Sequence, residues 1–420
     1  MPAILRLLTL LTVLLAAAPA TAATLAISCG AVGKELAQCR IGAEVWAART
    51  GNSVKVVSTP NSATERLALY QQLLAARSPD IDVLQIDVIW PGILAPHLRD
   101  LSHDLADAAK DHFPASIANN TVGGRLVALP WFIDAGLLYY RRDLLEKHGV
   151  AVPRTWAELT AAAEKIQAAE RAAGQAKKMW GFVWQGRAYE GLTCDALEWV
   201  ASHGGGSVVE PDGTVSIDNP RAARALETAA SWVGTISPPG VVTYAEEEAR
   251  GLFQSGHAVF MRNWPYAWAL AQGDGSPVRG RVGVAALPRG ADGTSAATLG
   301  GWQLAVSKHS RHPELAADLV RHLTGAAEQK RRAIAASTNP TRPALYDDAK
   351  IIAANPFMAR LRATFEAATP RPSTITGRRY DRVSTEFFTA VHAVLSGERP
   401  AEAALAALAR KLKRIKRRGW

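Results

Sequence analysis

The chain has 420 residues, 48% hydrophobic and 20% charged, with 48 basic against 38 acidic side chains and a formal net charge of +10. Those are globular proportions, and the length asks for two lobes rather than one core. Much of the basic excess sits in the last turns, Arg410 to Arg418, so it is not spread along a motif and a nucleic-acid partner is not expected.

The N-terminus, residues 1–22, reads as a secretory leader. Arg6 supplies the positive start, Leu7 to Ala18 the apolar core, and Ala20-Thr21-Ala22 a small-residue cleavage site. The apolar run is too short to span a bilayer, and no later stretch approaches that length. The mature chain is expected to begin near Ala23 in the periplasm. Ala26-Ile27-Ser28 ahead of Cys29 is not a lipobox, which points to a free protein rather than a lipoprotein. In an oxidising compartment Cys29 and Cys39 can bridge, tying the first strand's end to the next helix. Cys194 is then left as a buried thiol. Neither Cys-x-x-Cys nor His-x-x-x-His occurs, so no metal or cofactor is expected.

Thr24 to Ser28 predicts a strand, Lys34 to Arg49 a helix, and Ser53 to Ser58 a second strand. Ser62 with Glu65 three residues on has capping-box spacing. Ile81 to Ile86 is a third strand, ending at Asp87. This alternation implies parallel pairing with right-handed crossovers. Ligands of such sheets sit beyond the strands' carboxyl ends, where Asp87, Trp90 and the loop around Gly33 to Glu35 fall. The plain alternative for Asp87 is a helix cap.

Farther on, Ala135 to Tyr140 reads as a short buried strand, preceded by Trp131, Phe132 and Asp134. Flat rings beside an ionised acceptor are what a sugar site needs, although Asp134 could equally cap a turn beside core aromatics. Thr155 and Glu158 open an Ala-rich helix running past Arg171. Trp180 to Gly186 is a strand, Tyr189 to Thr193 opens a helix, and Asn219-Pro220 starts the next. Phe253 to Tyr266 contains a strand ending in Asn263-Trp264-Pro265, followed by a helix through Leu270. Val282 to Pro288 is a strand, and Leu299 to Val306 then re-enters the first lobe. Gly300-Gly301 permits a hinge or a close backbone approach, and no dinucleotide-type glycine fingerprint occurs. His312 to Leu323 is an amphipathic helix, and Ser337 to Pro343 a further crossing. The remainder is helical. Leu405, Leu408, Leu412 and Ile415 form one stripe opposite the terminal cations.

Leu129-Pro-Trp-Phe-Ile-Asp-Ala-Gly-Leu-Leu-Tyr-Tyr-Arg141 resembles the inter-lobe crossover of the family 1 extracellular solute-binding proteins of sugar ABC importers. The trehalose/maltose-binding group is the most similar. Ser58 to Arg66, Asp82 to Trp90, the strand ending Asn263-Trp-Pro265, and Arg371-Pro372 agree with it in order. The resemblance implies an α/β, two-lobed periplasmic-binding-protein-like fold of type II, with discontinuous lobes joined by three hinge crossings. Residues 23–132 with 302–338 would form one lobe, and 133–301 with 339–420 the other. It further implies capture of a disaccharide, trehalose or maltose, by a monomer that serves an inner-membrane ABC permease and has no catalytic step. The candidate ligand-binding residues are Glu35, Glu65, Asp87, Trp90, Asp134, Trp264, Tyr266, Gly300, Gly301, Trp302 and Arg371.

Two alternatives stand beside this. A glycoside hydrolase could use Asp87 and Asp134 as its carboxylate pair, provided that one carboxyl has a raised pKa. A binding protein for another solute, such as glycerol phosphate or a longer oligosaccharide, is the other. A phosphate would want clustered basic groups or a helix N-terminus in the cleft.

Overall fold

A computed structural model describes residues 22–174, 179–360 and 362–420. The leader expected over 1–22 lies outside this range but for Ala22. Among the described residues no helix is long and apolar enough to cross a membrane.

The chain opens with β1 (Thr24–Cys29), α1 (Glu35–Thr50), β2 (Ser53–Ser58), α2 (Ala63–Ala75) and β3 (Val83–Asp87). β1 pairs in parallel with β2 on one side and β3 on the other. β3 lies mid-sheet and is buried along its whole length, as a strand covered on both faces must be, whereas edge strand β2 alternates. Ser62 Oγ accepts the Glu65 N–H at 3.3 Å. The Glu65 carboxylate does not return to the cap, so the expected capping box is half made.

β4 (Leu129–Ala135) joins the same sheet, and after Gly136 the chain continues as β5 (Leu137–Arg141) in a second sheet. The change of sheet therefore falls at Gly136, not at 133. α3 (Trp156–Ala172) begins with a reciprocal cap: Glu158 N–H donates to Thr155 Oγ1 at 3.1 Å, and Thr155 N–H to Glu158 Oε2 at 3.2 Å. Then follow β6 (Trp180–Val183), α4 (Glu190–Ser202), α5 (Pro220–Trp232), α6 (Glu246–Gln254), β7 (Ala258–Asn263) and β8 (Val282–Ala285). The second sheet has the order β8-β5-β7-β6.

β9 (Leu299–Val306) returns to the first sheet and lies antiparallel between β3 and β4, for an order of β2-β1-β3-β9-β4. All of β9 belongs there, so this crossing precedes Leu299 rather than following Gly301. α7 (Pro313–Leu323) and α8 (Ala326–Ala336) come next. The third crossing passes Asn339, whose carbonyl accepts the Ile133 N–H at 3.2 Å. α9 (Tyr380–Leu395) and α10 (Ala401–Lys416) pack on α4 and α5 in the second lobe.

Each sheet has its own core. Leu25, Ile27 and Trp46 pack in one cluster of the first lobe, and Leu67, Tyr70, Leu84 and Ile86 in another. The second lobe is built around Trp156, Phe182, Trp199 and Trp232, with ring centroids 5.4 to 6.3 Å apart. Separate cores leave a cleft between the lobes, crossed at Gly136, just before Leu299 and at the Asn339 segment.

Candidate functional site

Both lobes line one cleft cavity, whose non-protein space is about 880 Å³ with open solvent at its mouth counted in. Its polar lining has a common local origin. Glu35, Glu190 and Glu246 are each the first residue of a helix (α1, α4 and α6), where the positive end of the helix dipole favours a carboxylate. Asp87 ends β3, and Asp134 is the penultimate residue of β4. Five carboxylates thus meet two guanidinium groups, Arg332 and Arg371.

Arg371 ties the lobes together. It is buried and donates to Asp87 Oδ1 at 3.0 Å and to Glu190 Oε1 at 2.8 Å. Burial works against its charge, but Asp87 and neighbouring anions hold its pKa well above the usual arginine value. Glu190 also accepts from Tyr380 Oη at 2.5 Å and Ser384 Oγ at 2.6 Å, yet burial still raises its carboxyl. Asp87 Oδ1 additionally accepts the Ile89 N–H at 3.2 Å. That bond closes a local turn and does not cap the following helix, whose N-cap is Trp90; Asp87 also lines the cavity.

Glu35 accepts from the Gln85 amide, and burial raises its carboxyl despite the nearby Arg66. Asp134 is partly open to the cavity but ringed by protein. Desolvation, then the Glu35 carboxylate, push its pKa up to about 7. No hydrogen bond to the Asp134 side chain satisfies it among the described residues, which leaves an acceptor aimed into the space.

The apolar lining is mostly aromatic: Phe132, Tyr189, Trp264, Tyr266 and Trp302. The Arg262 guanidinium lies 4.0 Å from the Trp264 ring centroid and is itself held by Asp195 at 3.0 Å and Glu198 at 2.5 Å. Tyr266 Oη donates to Glu247 at 2.7 Å, so its hydroxyl is spoken for and its ring is what it offers. Gly300 and Gly301 are explained by contact. A Cβ on Gly300 would stand 2.9 Å from the Trp264 ring. Gly301 has φ +125°, and its Cβ would lie 2.4 Å from the Phe132 carbonyl, next to the register shift between Trp302 and Gln303. Glycine is needed there for strand packing, and both residues also line the cavity.

Nine of the eleven candidates line the cavity; Glu65 and Trp90 do not. Glu65 forms an exposed ion pair with Arg187 at 2.5 Å across the cleft lip. Trp90 is 1% exposed and packs edge-on behind Trp302, ring centroids 5.5 Å apart. It supports a cavity ring rather than being one.

Sequence reasoning missed Glu190, Glu246 and Arg332. An acidic residue opening a helix after an aromatic loop was a legible signal for the first two. Arg332 sits among ordinary helix residues and carried none. It is 1% exposed, its guanidinium 3.8 Å from the Trp131 ring centroid, and among the described residues none of its nitrogens has a hydrogen-bond partner. Burial lowers its pKa to about 10, against the pull of Glu328 and Glu35. A buried cation with unused donors is costly unless something in the cavity accepts from it. Among the described residues no His, Cys, Asp or Glu cluster could hold a metal ion. The Cys29 and Cys39 sulfurs are in bonding contact, with Cα atoms 6.6 Å apart.

Residues 36–330 match the profile of the bacterial extracellular solute-binding proteins. A probable ABC transporter-binding protein of Deinococcus radiodurans is 53% identical over 407 residues, 96% of each chain. The mannitol-binding protein of Pseudomonas aeruginosa is 25% identical over 77% of each chain. Among solved structures, maltose-bound MalE3 of T. maritima superposes with a TM-score of 0.89 at 45% identity, over 94% of this chain and 100% of that one. With its two discontinuous α/β lobes closed around a polar and aromatic cavity, the chain belongs to the bacterial extracellular solute-binding protein family.

Proposed function

We propose that the protein is exported to the periplasm by its leader and captures a disaccharide, maltose or trehalose, which it delivers as a monomer to an inner-membrane ABC permease. The observation that carries this is the cavity lining. Ring faces of Phe132, Trp264, Tyr266 and Trp302 suit the C–H surfaces of sugar rings. The free Asp134 acceptor and the unpaired Arg332 donors suit hydroxyl groups, which both give and take hydrogen bonds. Carboxylates outnumber guanidinium groups, which disfavours an anionic solute such as glycerol phosphate. The maltose bound to the 45% identical relative supports a disaccharide, while the mannitol-binding relative supports only the wider polyol class. Titration calorimetry with trehalose, maltose, sucrose, glucose and mannitol tests the reading. One-to-one binding of a disaccharide is the expected result, and heat from mannitol alone would replace the disaccharide with a sugar alcohol.

One observation favours the hydrolase reading. Asp134, at about 7, has the raised pKa that a general acid requires, and Asp87 lines the same cavity. Asp87, however, has its Oδ1 already bonded to Arg371 and to a backbone N–H. Incubation with labelled maltose and trehalose separates the two. Intact sugar recovered at stoichiometric amounts supports the receptor, and released glucose supports the enzyme.

A further inference from the structure

Seven cations stand within Arg410–Arg418 with no acidic residue among them, against a net charge of +10 for the whole chain. All seven are exposed, on α10 or just beyond its end. Lys411 pairs with Glu386 at 2.5 Å, and Lys416 donates to the Gly213 carbonyl at 2.6 Å. Among the described residues, the side chains of Arg410, Lys413, Arg414 and Arg417 have no ion-pair or hydrogen-bond partner.

These four positions are i, i+3, i+4 and i+7, so they form one stripe along the helix. Like charges at those spacings repel and destabilise the helix that carries them. The helix dipole favours cations in the final turn only, and Arg410 lies before that turn. The stripe is also continued sideways, because exposed Arg378 and Arg379 line a groove with Arg418. The opposite face of α10 is consumed by the core: Leu405, Leu408, Leu412 and Ile415 are 0 to 4% exposed. The helix therefore cannot roll over and insert an apolar face into a bilayer.

We infer that this stripe docks the protein on an anionic phospholipid surface, by electrostatics alone and without insertion. A protein epitope takes most of its energy from buried aromatic or aliphatic anchors. Among the described residues the exposed large hydrophobics are Ile41, Val45, Ile334 and Ile352, none of them on α10. A one-signed array of long, mobile side chains instead fits a laterally mobile field of phosphates. Docking would concentrate the carrier at the membrane that houses its permease. The inference does not depend on which solute fills the cavity.

Sedimentation of the full mature chain with vesicles tests it. Vesicles of 30% phosphatidylglycerol in phosphatidylcholine should retain the protein at 20 mM salt, release it near 500 mM, and be inactive when made of phosphatidylcholine alone. Each Lys or Arg near such a surface strengthens binding roughly fivefold, so Arg410→Gln, Lys413→Gln, Arg414→Gln and Arg417→Gln together should weaken it by about a hundredfold or more. The control carries Arg40→Gln, Lys55→Gln, Arg77→Gln and Lys110→Gln, four exposed cations elsewhere. It should bind as the parent does. Equal loss in the control would reduce the effect to net charge and overturn the stripe, as would equal binding to neutral vesicles. Retention by native inner-membrane vesicles, but not by protein-free anionic ones, would reassign the surface to a protein partner. Sugar titration of the stripe variant should be unchanged, which keeps this test separate from that of the cavity.

Discussion

At the scale of single residues, Asp87 and Asp134 line one cavity under opposite conditions. Asp87 is ion-paired with Arg371, so Asp87→Asn removes both a cavity-lining charged acceptor and half of the charge compensation of a buried guanidinium. It should weaken sugar binding and lower stability by about 1–3 kcal/mol. Asp134 has no such partner and pays for its burial, so Asp134→Asn should weaken binding yet stabilise the unliganded protein near neutral pH. Calorimetry and thermal melts on both variants check this; matching stability losses would show that Asp134 is paired after all. The same residue sets a pH dependence. Its folded pKa of about 7 exceeds the ordinary 3.8, so its contribution is fully present below 3.8 and is lost as pH rises through about 7. Glu35, Glu190 and Glu246, also raised by burial, act with the same sign. The melting temperature of unliganded protein should fall between pH 5.5 and 8, with a shallower slope in Asp134→Asn. An equal slope in the two proteins would assign the effect elsewhere. Asp87 and Asp134 were legible because a charge at the end of an apolar strand is unusual locally. Arg332 was not, since its isolation arises only when Trp131 and the cavity are brought against it.

At the scale of elements, strand β9 carries the site's most demanding backbone. Gly301→Ala would force a Cβ against the Phe132 carbonyl at a left-handed φ, costing about 2–4 kcal/mol. Gly300→Ala meets a ring edge of Trp264 and, at 3.3 Å, the Asp134 Cβ, without a left-handed φ, so it should cost less stability and relatively more affinity. Denaturant melts paired with sugar titration distinguish them, and a near-neutral Gly301→Ala would contradict the register shift. The Cys29–Cys39 contact joins the end of β1 to α1 beside Glu35. A bridge across 10 residues should contribute on the order of 2–3 kcal/mol by loop closure. Reduction should lower the melting temperature accordingly, whereas mass spectrometry finding three free thiols in exported protein would sink the bridge.

At the scale of the whole molecule, the lobes touch at the cleft through Arg371, the Arg187–Glu65 pair and the Glu190 N–H to Thr64 Oγ1 bond of 3.2 Å. A sugar cannot enter so closed a space unless the lobes part, with the chain at Gly136, the segment before Leu299 and the Asn339 segment as the connections that absorb the motion. A ligand shifts this equilibrium only by its differential affinity for the two states. Trp264 on the second lobe and Trp302 on the first enclose it together only when closed. Trp264→Ala should therefore lose affinity, by tenfold or more, and lose ligand-induced compaction. X-ray scattering with and without saturating sugar reads this out. Unchanged dimensions in the parent would refute closure, and full compaction in the variant would clear Trp264 of the role.

The sequence by itself determined the elements and their order, because periodicity and caps are local. β2 was readable to its end residues, Ser53–Ser58, and so was the Thr155 cap. It also marked the strand ends where a ligand site forms. Only the tertiary structure decided that β4 changes sheet at Gly136, that Gly301 serves packing, and that Trp90 stands behind Trp302. It also decided that Arg371 joins Asp87 to Glu190, partners 284 and 181 residues away in the chain. The physical reason is range: hydrogen-bonded caps act over a few residues. Desolvation and Coulomb forces instead depend on which distant side chains the fold brings within a few ångströms.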